Sequence, residues 1–131
     1  MDNIPTTGLV IKKVWLDYIL SGQKTLEIRS SQTNKRGPIA LIESGSGLIV
    51  GVCHLTGSHR IDTPELLIEA THKACIPDKN IITGFYKNPH AWHIENAYRL
   101  TNPVRYSHPK GAVIWVSLSQ DVQAELATKL S

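Results

Sequence analysis

The chain predicts an α+β fold that is mostly β: a small barrel or strongly curled sheet of about six strands with flanking helices. Three observations lead there. Short β-branched or alternating runs recur along the chain, and Ser44-Gly45-Ser46-Gly47 joins two of them as a hairpin. Helical periodicity is confined to brief stretches between these runs. A sheet with so few strands must protect its edges, and curling or closing it is the economical way to do so.

Gly8–Lys12 is a β-branched run and reads as the first strand. Lys13–Ser21 then carries Trp15, Tyr18 and Ile19 on one stripe, with Leu16 and Leu20 beside it, which is helical spacing. Gly22 suits the left-handed position just past a helix end. From Lys24 the period is two, with Thr25, Glu27 and Arg29 on one face and Lys24, Leu26 and Ile28 on the other. Lys24 lies at the bend between helix and strand, so it need not follow that alternation. Ser30–Gly37 is polar and basic without a period, hence a loop. Pro38–Glu43 and Leu48–Thr56 are the hairpin strands, with Gly51 marking a bulge or a close backbone approach.

Thr63-Pro64-Glu65 is a helix start: a Thr cap, Pro in the first turn, and an acid near the positive end of the dipole. That helix carries Leu66, Leu67, Ala70 and Ala74 and stops before Pro77. Asp78–Lys87 has room for a second short helix. Trp92–Leu100 alternates, with Trp92, Ile94, Tyr98 and Leu100 on one face and His93, Glu95 and Arg99 on the other. Pro103 and Pro109 bracket a bend, Gly111–Leu118 is the last strand, and Ser119 caps a terminal amphipathic helix. No linker or repeat divides residues 1–131, which read as one domain with its core at about 8–118 and a C-terminal helix at 119–130.

With 131 residues and 41% hydrophobic content the chain can bury a core without staples. No apolar run approaches the ~20 residues of a membrane helix, so no membrane partner is expected. The opening Met1-Asp2-Asn3-Ile4-Pro5 lacks the basic and apolar regions of a signal peptide. Cys53 and Cys75 sit among apolar residues without metal-ligand spacing, which suits free thiols in a reducing cytoplasm. The net charge is only +3, but Lys12–Arg36 holds six basic residues (Lys12, Lys13, Lys24, Arg29, Lys35, Arg36) against Asp17 and Glu27. That excess leans toward a phosphate-bearing partner.

Two cations and a carboxylate therefore meet within six residues at an element junction, in Gly22-Gln23-Lys24-Thr25-Leu26-Glu27-Ile28-Arg29. Such junctions are where a scaffold presents chemistry. The plain alternative is a solvated strand edge with an exposed ion pair, contributing about 0–1 kcal/mol. Tyr18, one turn before Gly22, is placed to bring its hydroxyl toward Lys24, or else to bury it in the core.

The pattern Gly22-x-Lys24-x-x-Glu27-x-Arg29 after a helix resembles the signature of the ASCH domain, a relative of the PUA RNA-binding domain. Support runs from about Val10 to Leu118: Arg36-Gly37-Pro38 leading a strand, Gly51-Val52, Ala91-Trp92, Asn102-Pro103-Val104, and Gly111 before Trp115. The resemblance implies a PUA-like β-barrel with a cleft beside the first helix, and binding of single-stranded RNA or of a nucleoside or nucleotide. It also implies two activities credited to members, RNA cleavage and hydrolysis of acetylated cytidine nucleosides. Carried over, Lys24, Glu27 and Arg29 line the cleft, and Tyr18 matches an active-site position of the ribonuclease-like members. Glu27 stands where the amidohydrolase pattern has Thr. The acidic partner of that pattern has only Glu65 and Glu69 as candidates here.

The chemistry then divides three ways. RNA binding would use Arg29 and Lys24 on phosphate, with Lys35 and Arg36 of the polar loop extending the reach. Metal-free cleavage needs a base, an acid and a cation, for which Lys24, Glu27 and Tyr18 are the catalytic candidates. Amide hydrolysis needs Lys24 with a depressed pKa. A non-catalytic nucleotide or small-ligand module is the third reading. A closed pocket around Lys24 would favour the nucleoside substrate, an open basic groove the RNA. No cofactor is expected, because no phosphate-binding glycine loop occurs. No metal site is expected either, since His90 and His93 fall on opposite strand faces and His54, His59, His72 and His108 form no set.

Overall fold

The computed structural model describes residues 4–130, so Met1–Asn3, part of the stretch read above for signal-peptide character, and Ser131 lie outside the described residues. The elements run β1 (Thr7–Ile11), α1 (Lys13–Leu20), β2 (Leu26–Arg29), β3 (Gly37–Glu43), β4 (Leu48–Arg60), α2 (Pro64–Lys73), α3 (Lys79–Phe85), β5 (His90–Arg105), β6 (Trp115–Ser117) and α4 (Gln120–Leu130). The six strands form one sheet in the order β2-β5-β4-β3-β1-β6, curled into a half-barrel of mixed α+β, PUA-like character. Among the described residues only β1 and β3 pair in parallel; the remaining pairs are antiparallel.

Local chemistry explains the element boundaries. Gly22 ends α1 at φ 85°, a left-handed conformation that a Cβ would strain. Thr63 caps α2 by accepting from the Leu66 amide at 3.1 Å, and Ser119 accepts from the Val122 amide at 3.2 Å. Gly51 sits at register shifts on both of its neighbouring strands. A Cβ there would lie 2.5 Å from Leu20 Cδ2 and 2.8 Å from the Tyr98 carbonyl oxygen, so the close approach and the bulge are both present.

Four expectations change. Pro103 does not open the bend: β5 runs on through it to Arg105, because Val104 and Arg105 pair with Ile49 and Leu48 of β4. β4 continues past Thr56 to Arg60, because Gly57–Arg60 pair with His90–His93 of β5. The last strand shrinks to Trp115–Ser117; the segment before it is irregular and meets β1 through Val10 N–H donating to the Ile114 carbonyl at 2.9 Å. Tyr98 is 48% exposed although Trp92, Ile94 and Leu100 are buried. The register slips between Val52/Tyr98 and His54/Glu95, and Asn96 takes φ 54°, so the alternation is broken before Tyr98.

Three apolar clusters hold the fold. One lies between the sheet and α1, packing Leu16 and Ile19 with Leu9, Leu41, Leu55 and Trp92. A second packs α2 and α3 on Leu26, Ile28 and Ala91. The third seats Leu126 of α4 on Ile42, Ile49 and Val104. β2 is thus covered on both sides: Leu26 and Ile28 face the α2–α3 cluster, and Glu27 and Arg29 face a cleft.

Candidate functional site

The junction after α1 is pinned by backbone bonds. The Lys24 amide donates to the Tyr18 carbonyl at 2.9 Å, and the Thr25 amide donates to the Lys73 carbonyl at 2.8 Å. Lys24 therefore lies between the C-terminal ends of α1 and α2, ahead of the first residue of β2. That position frees it from the strand alternation, and its side chain turns inward. Its Nζ donates to the Ala74 carbonyl at 2.8 Å, lies 3.5 Å from Glu27 Oε1 and stands 5.1 Å from the centre of the Trp15 ring.

Glu27 holds the second cation. Its Oε2 accepts from Arg29 at 2.7 Å and 3.0 Å, and the same guanidinium donates to the Val10 carbonyl at 3.1 Å. The guanidinium also lies 5.6 Å from the Trp92 ring centre. Lys24 is 2% exposed and Glu27 6%, so this is a buried network and not the exposed ion pair of the plain alternative. Burial pushes the Lys24 amine below its ordinary value, and Glu27 opposes that shift.

These side chains line a half-open cleft of about 280 Å³, together with Lys12, Trp15, Ser44, Ile76, Tyr86 and Val113. Three cations and one carboxylate among its walls give it a positive character. Burial raises the Tyr86 phenol above its usual value, and the nearby Glu27 carboxylate adds to the shift while Arg29 opposes it. Tyr86 therefore stays protonated over the neutral range, available as a donor.

The structure brings Lys24, Glu27 and Arg29 together but leaves the other candidates elsewhere. Tyr18 does not line the cleft. Trp15 fills the space over Lys24, and Tyr18, 6.4 Å from the Trp15 ring, lies in a surface depression with Val14, Asp17, Ser21 and Gln23. Its contribution to the site is the main-chain carbonyl that holds Lys24. Lys35 lies 5.0 Å over Trp115, which stacks on Trp92 at 5.6 Å, so it is two rings removed from Arg29. Arg36 folds back on its own loop, donating to the Thr33 and Lys35 carbonyls. Glu65 is exposed in the first turn of α2, and Glu69 pairs with Lys73 at 3.8 Å beside a different depression.

Sequence reasoning missed Tyr86 as a wall of the cleft, and it read Trp15 only as core. Lys12 was visible in the basic cluster but without a role. The histidines also pair unexpectedly: His59 Nδ1 and His93 Nε2 approach to 2.6 Å, and burial and His59 lower the His93 pKa. Among the described residues no three metal-ligating side chains converge.

Comparison with known proteins follows the same outline. A model of the ASCH domain matches residues 9–104. Comparison with curated protein sequences finds no match. Among solved structures, ASCH from Zymomonas mobilis is similar over 93% of this chain and 93% of its own, at 13% identity and a TM-score of 0.71. Two single-residue variants of ZmASCH from the same organism are similar as well. One gives 12% identity over 98% of both chains, with a TM-score of 0.71. The other gives 13% identity over 93% of this chain and 96% of its own, with a TM-score of 0.72. At these identities the likeness establishes the fold.

Proposed function

Since the chain belongs to the ASCH domain family, we propose that it binds RNA by seating one unpaired nucleotide in the Lys24–Glu27–Arg29 cleft. The observation that carries this reading is the nucleoside-sized cleft itself, with Lys12, Lys24 and Arg29 against a single carboxylate and with Trp15 and Tyr86 in its walls. Lys12 is exposed and Arg29 half-buried, so both can meet a phosphate without giving up full desolvation. Unpaired bases are commonly held against aromatic rings, which Trp15 and Tyr86 supply.

Cleavage would follow from the same groups. Lys24, whose pKa burial lowers while Glu27 opposes the shift, takes the proton of the ribose 2′-hydroxyl in those molecules where it has given up its own. The freed oxygen attacks phosphorus, Arg29 stabilises the charge that develops on the phosphoryl oxygens, and the Tyr86 phenol returns a proton to the departing 5′-oxygen. Glu27 holds Lys24 and Arg29 in place throughout.

The enclosure of Lys24 favours a second reading, hydrolysis of an acylated cytidine nucleoside, in which the same amine activates water at the amide carbon. Product release from labelled RNA and from N-acetylated cytidine, each compared with Lys24→Ala, separates the two. RNA that neither binds nor is cut overturns the first reading. Two free cysteines, Cys53 and Cys75, support placing the protein in a reducing compartment such as the cytoplasm.

A further inference from the structure

The cleft is not isolated. A second chamber of about 490 Å³ shares Val10, Ser44 and Val113 with it, so the two lie side by side. Its far end is built by Tyr106 and His108. Tyr106 Oη and His108 Nδ1 lie 2.7 Å apart, and His108 Nε2 lies 2.7 Å from the Ala112 carbonyl oxygen. A carbonyl only accepts, so Nε2 carries the hydrogen. In the neutral ring Nδ1 is then the acceptor, and the Tyr106 hydroxyl donates to it. The phenol oxygen keeps its lone pairs for an incoming N–H. Burial also raises the Tyr106 pKa, which keeps the phenol protonated and this pattern intact.

The chamber is held in shape on both sides. The Tyr106 amide donates to the Gly47 carbonyl at 3.3 Å, tying it to the β3–β4 turn, and His108 closes its own loop onto Ala112. Tyr106 packs as a partly buried ring against the third apolar cluster, which fixes its position, while His108 belongs to none of the three. Val113, at the join of the two chambers, is 75% exposed. An aromatic, hydrogen-bonding chamber beside a cationic one suits a linear ligand whose anionic link sits in the first and whose next planar ring enters the second.

We propose that the Tyr106–His108 chamber is a second subsite, taking the nucleobase adjacent to the nucleotide held at Lys24–Glu27–Arg29, with Tyr106 Oη accepting from a base N–H. This rests on the RNA reading above and adds to it a minimum ligand length of two nucleotides for full affinity.

Titration with 2′-fluoro oligonucleotides of mixed base composition tests it, because they cannot be cleaved through the 2′ position. Mono-, di- and trinucleotides are compared on wild type, Tyr106→Phe, His108→Ala and Arg29→Ala. The dinucleotide should bind at least about tenfold more tightly than the mononucleotide. Tyr106→Phe, by releasing His108 and removing the acceptor, should erase about fivefold of that gain and leave the mononucleotide unchanged. His108→Ala should act in the same direction, and unchanged mononucleotide affinity would show that its loop still walls the first chamber. Arg29→Ala should weaken every length. Equal affinity for one and two nucleotides overturns the second subsite while leaving the RNA reading intact. A length gain that survives both Tyr106→Phe and His108→Ala also overturns it, by placing the added nucleotide elsewhere. If wild type binds none of the oligonucleotides, the RNA reading fails and the subsite falls with it.

Discussion

Glu27→Ala is the most revealing single perturbation of the site. The wild-type carboxylate accepts from Arg29 at 2.7 Å and 3.0 Å and lies 3.5 Å from the Lys24 amine, all behind a surface that leaves Glu27 6% exposed. Removing it strands a cation that is 2% exposed, with the Ala74 carbonyl as its remaining hydrogen-bond partner. Breaking a buried pair in this way typically costs about 3–5 kcal/mol. Arg29 keeps the Val10 carbonyl and some access to water, and Lys24 can shed its proton, so the lower end applies, about 3 kcal/mol. For a chain of this length that corresponds to a fall in Tm of about 10 °C.

The pH dependence identifies the cause. Burial lowers the Lys24 pKa in the folded protein, and Glu27 is what partly restores it. A lysine with a lowered folded pKa binds fewer protons folded than unfolded between its folded and unfolded values. Stability contributed by that group therefore rises with pH across this window, and the penalty of burying the ammonium is fully present below it. Without Glu27 the folded pKa drops further and the penalty at neutral pH grows. The gap between wild type and Glu27→Ala should narrow as the pH is raised from about 7 towards the ordinary lysine range. Thermal melts by circular dichroism across that range measure it. A loss under about 1 kcal/mol, or a gap that does not change with pH, would refute the account of Glu27 as the group that keeps a buried lysine charged.

Three further outcomes are expected. Lys24→Met should abolish the proposed cleavage yet stay within about 1 kcal/mol of wild type in chemical denaturation, because losing a desolvated amine offsets the partner lost by the Ala74 carbonyl; a loss of several kcal/mol would make Lys24 primarily structural. Gly51→Ala should cost about 2 kcal/mol, read as a lower denaturation midpoint at unchanged slope, because the new Cβ would meet the Tyr98 carbonyl oxygen at 2.8 Å, which is backbone and cannot swing away. In RNA binding, Lys12→Ala should flatten the plot of log affinity against log salt by about 0.7. Lys35→Ala with Arg36→Ala should change it less, since neither residue lines the cleft; the reverse order would move the phosphate path onto the Ser30–Arg36 loop.

What was legible in the sequence was what neighbouring residues decide among themselves. Gly22, the Ser44–Gly47 turn and the Thr63 cap act within one turn of chain, and each stands where its chemistry predicts. The Lys24–Glu27–Arg29 cluster was legible for the same reason, since six consecutive residues carry it. The extent of β4 was not, because Gly57–Arg60 become strand only by pairing with His90–His93, and nothing in those four residues announces a partner so distant in sequence. The outward turn of Tyr98 likewise follows from the Asn96 irregularity and a register slip, which period-two counting passes over.

The exchange of one tyrosine for another shows where that limit falls on the site. Tyr18 is near Lys24 in sequence, and a hydroxyl one turn before the motif invited the inference that it enters the cleft. The end of α1 instead gives that space to Trp15, whose ring stands 5.1 Å from the Lys24 amine and leaves Tyr18 facing solvent. The phenol that does line the cleft, Tyr86, arrives at the end of α3, brought there because Ile82 of α3, Ala70 of α2 and Ala74 just past its end pack on the far side of β2. The same packing supplies the Ala74 carbonyl that holds Lys24. The α2–α3 excursion therefore does two things at once: it buries the lysine, which lowers its pKa, and it delivers a protonated phenol beside the same carboxylate. A motif of eight residues records the charges of this site, but the burial that lowers the Lys24 pKa depends on an excursion some fifty residues later in the chain, which is why the cluster was readable and the environment of its lysine was not.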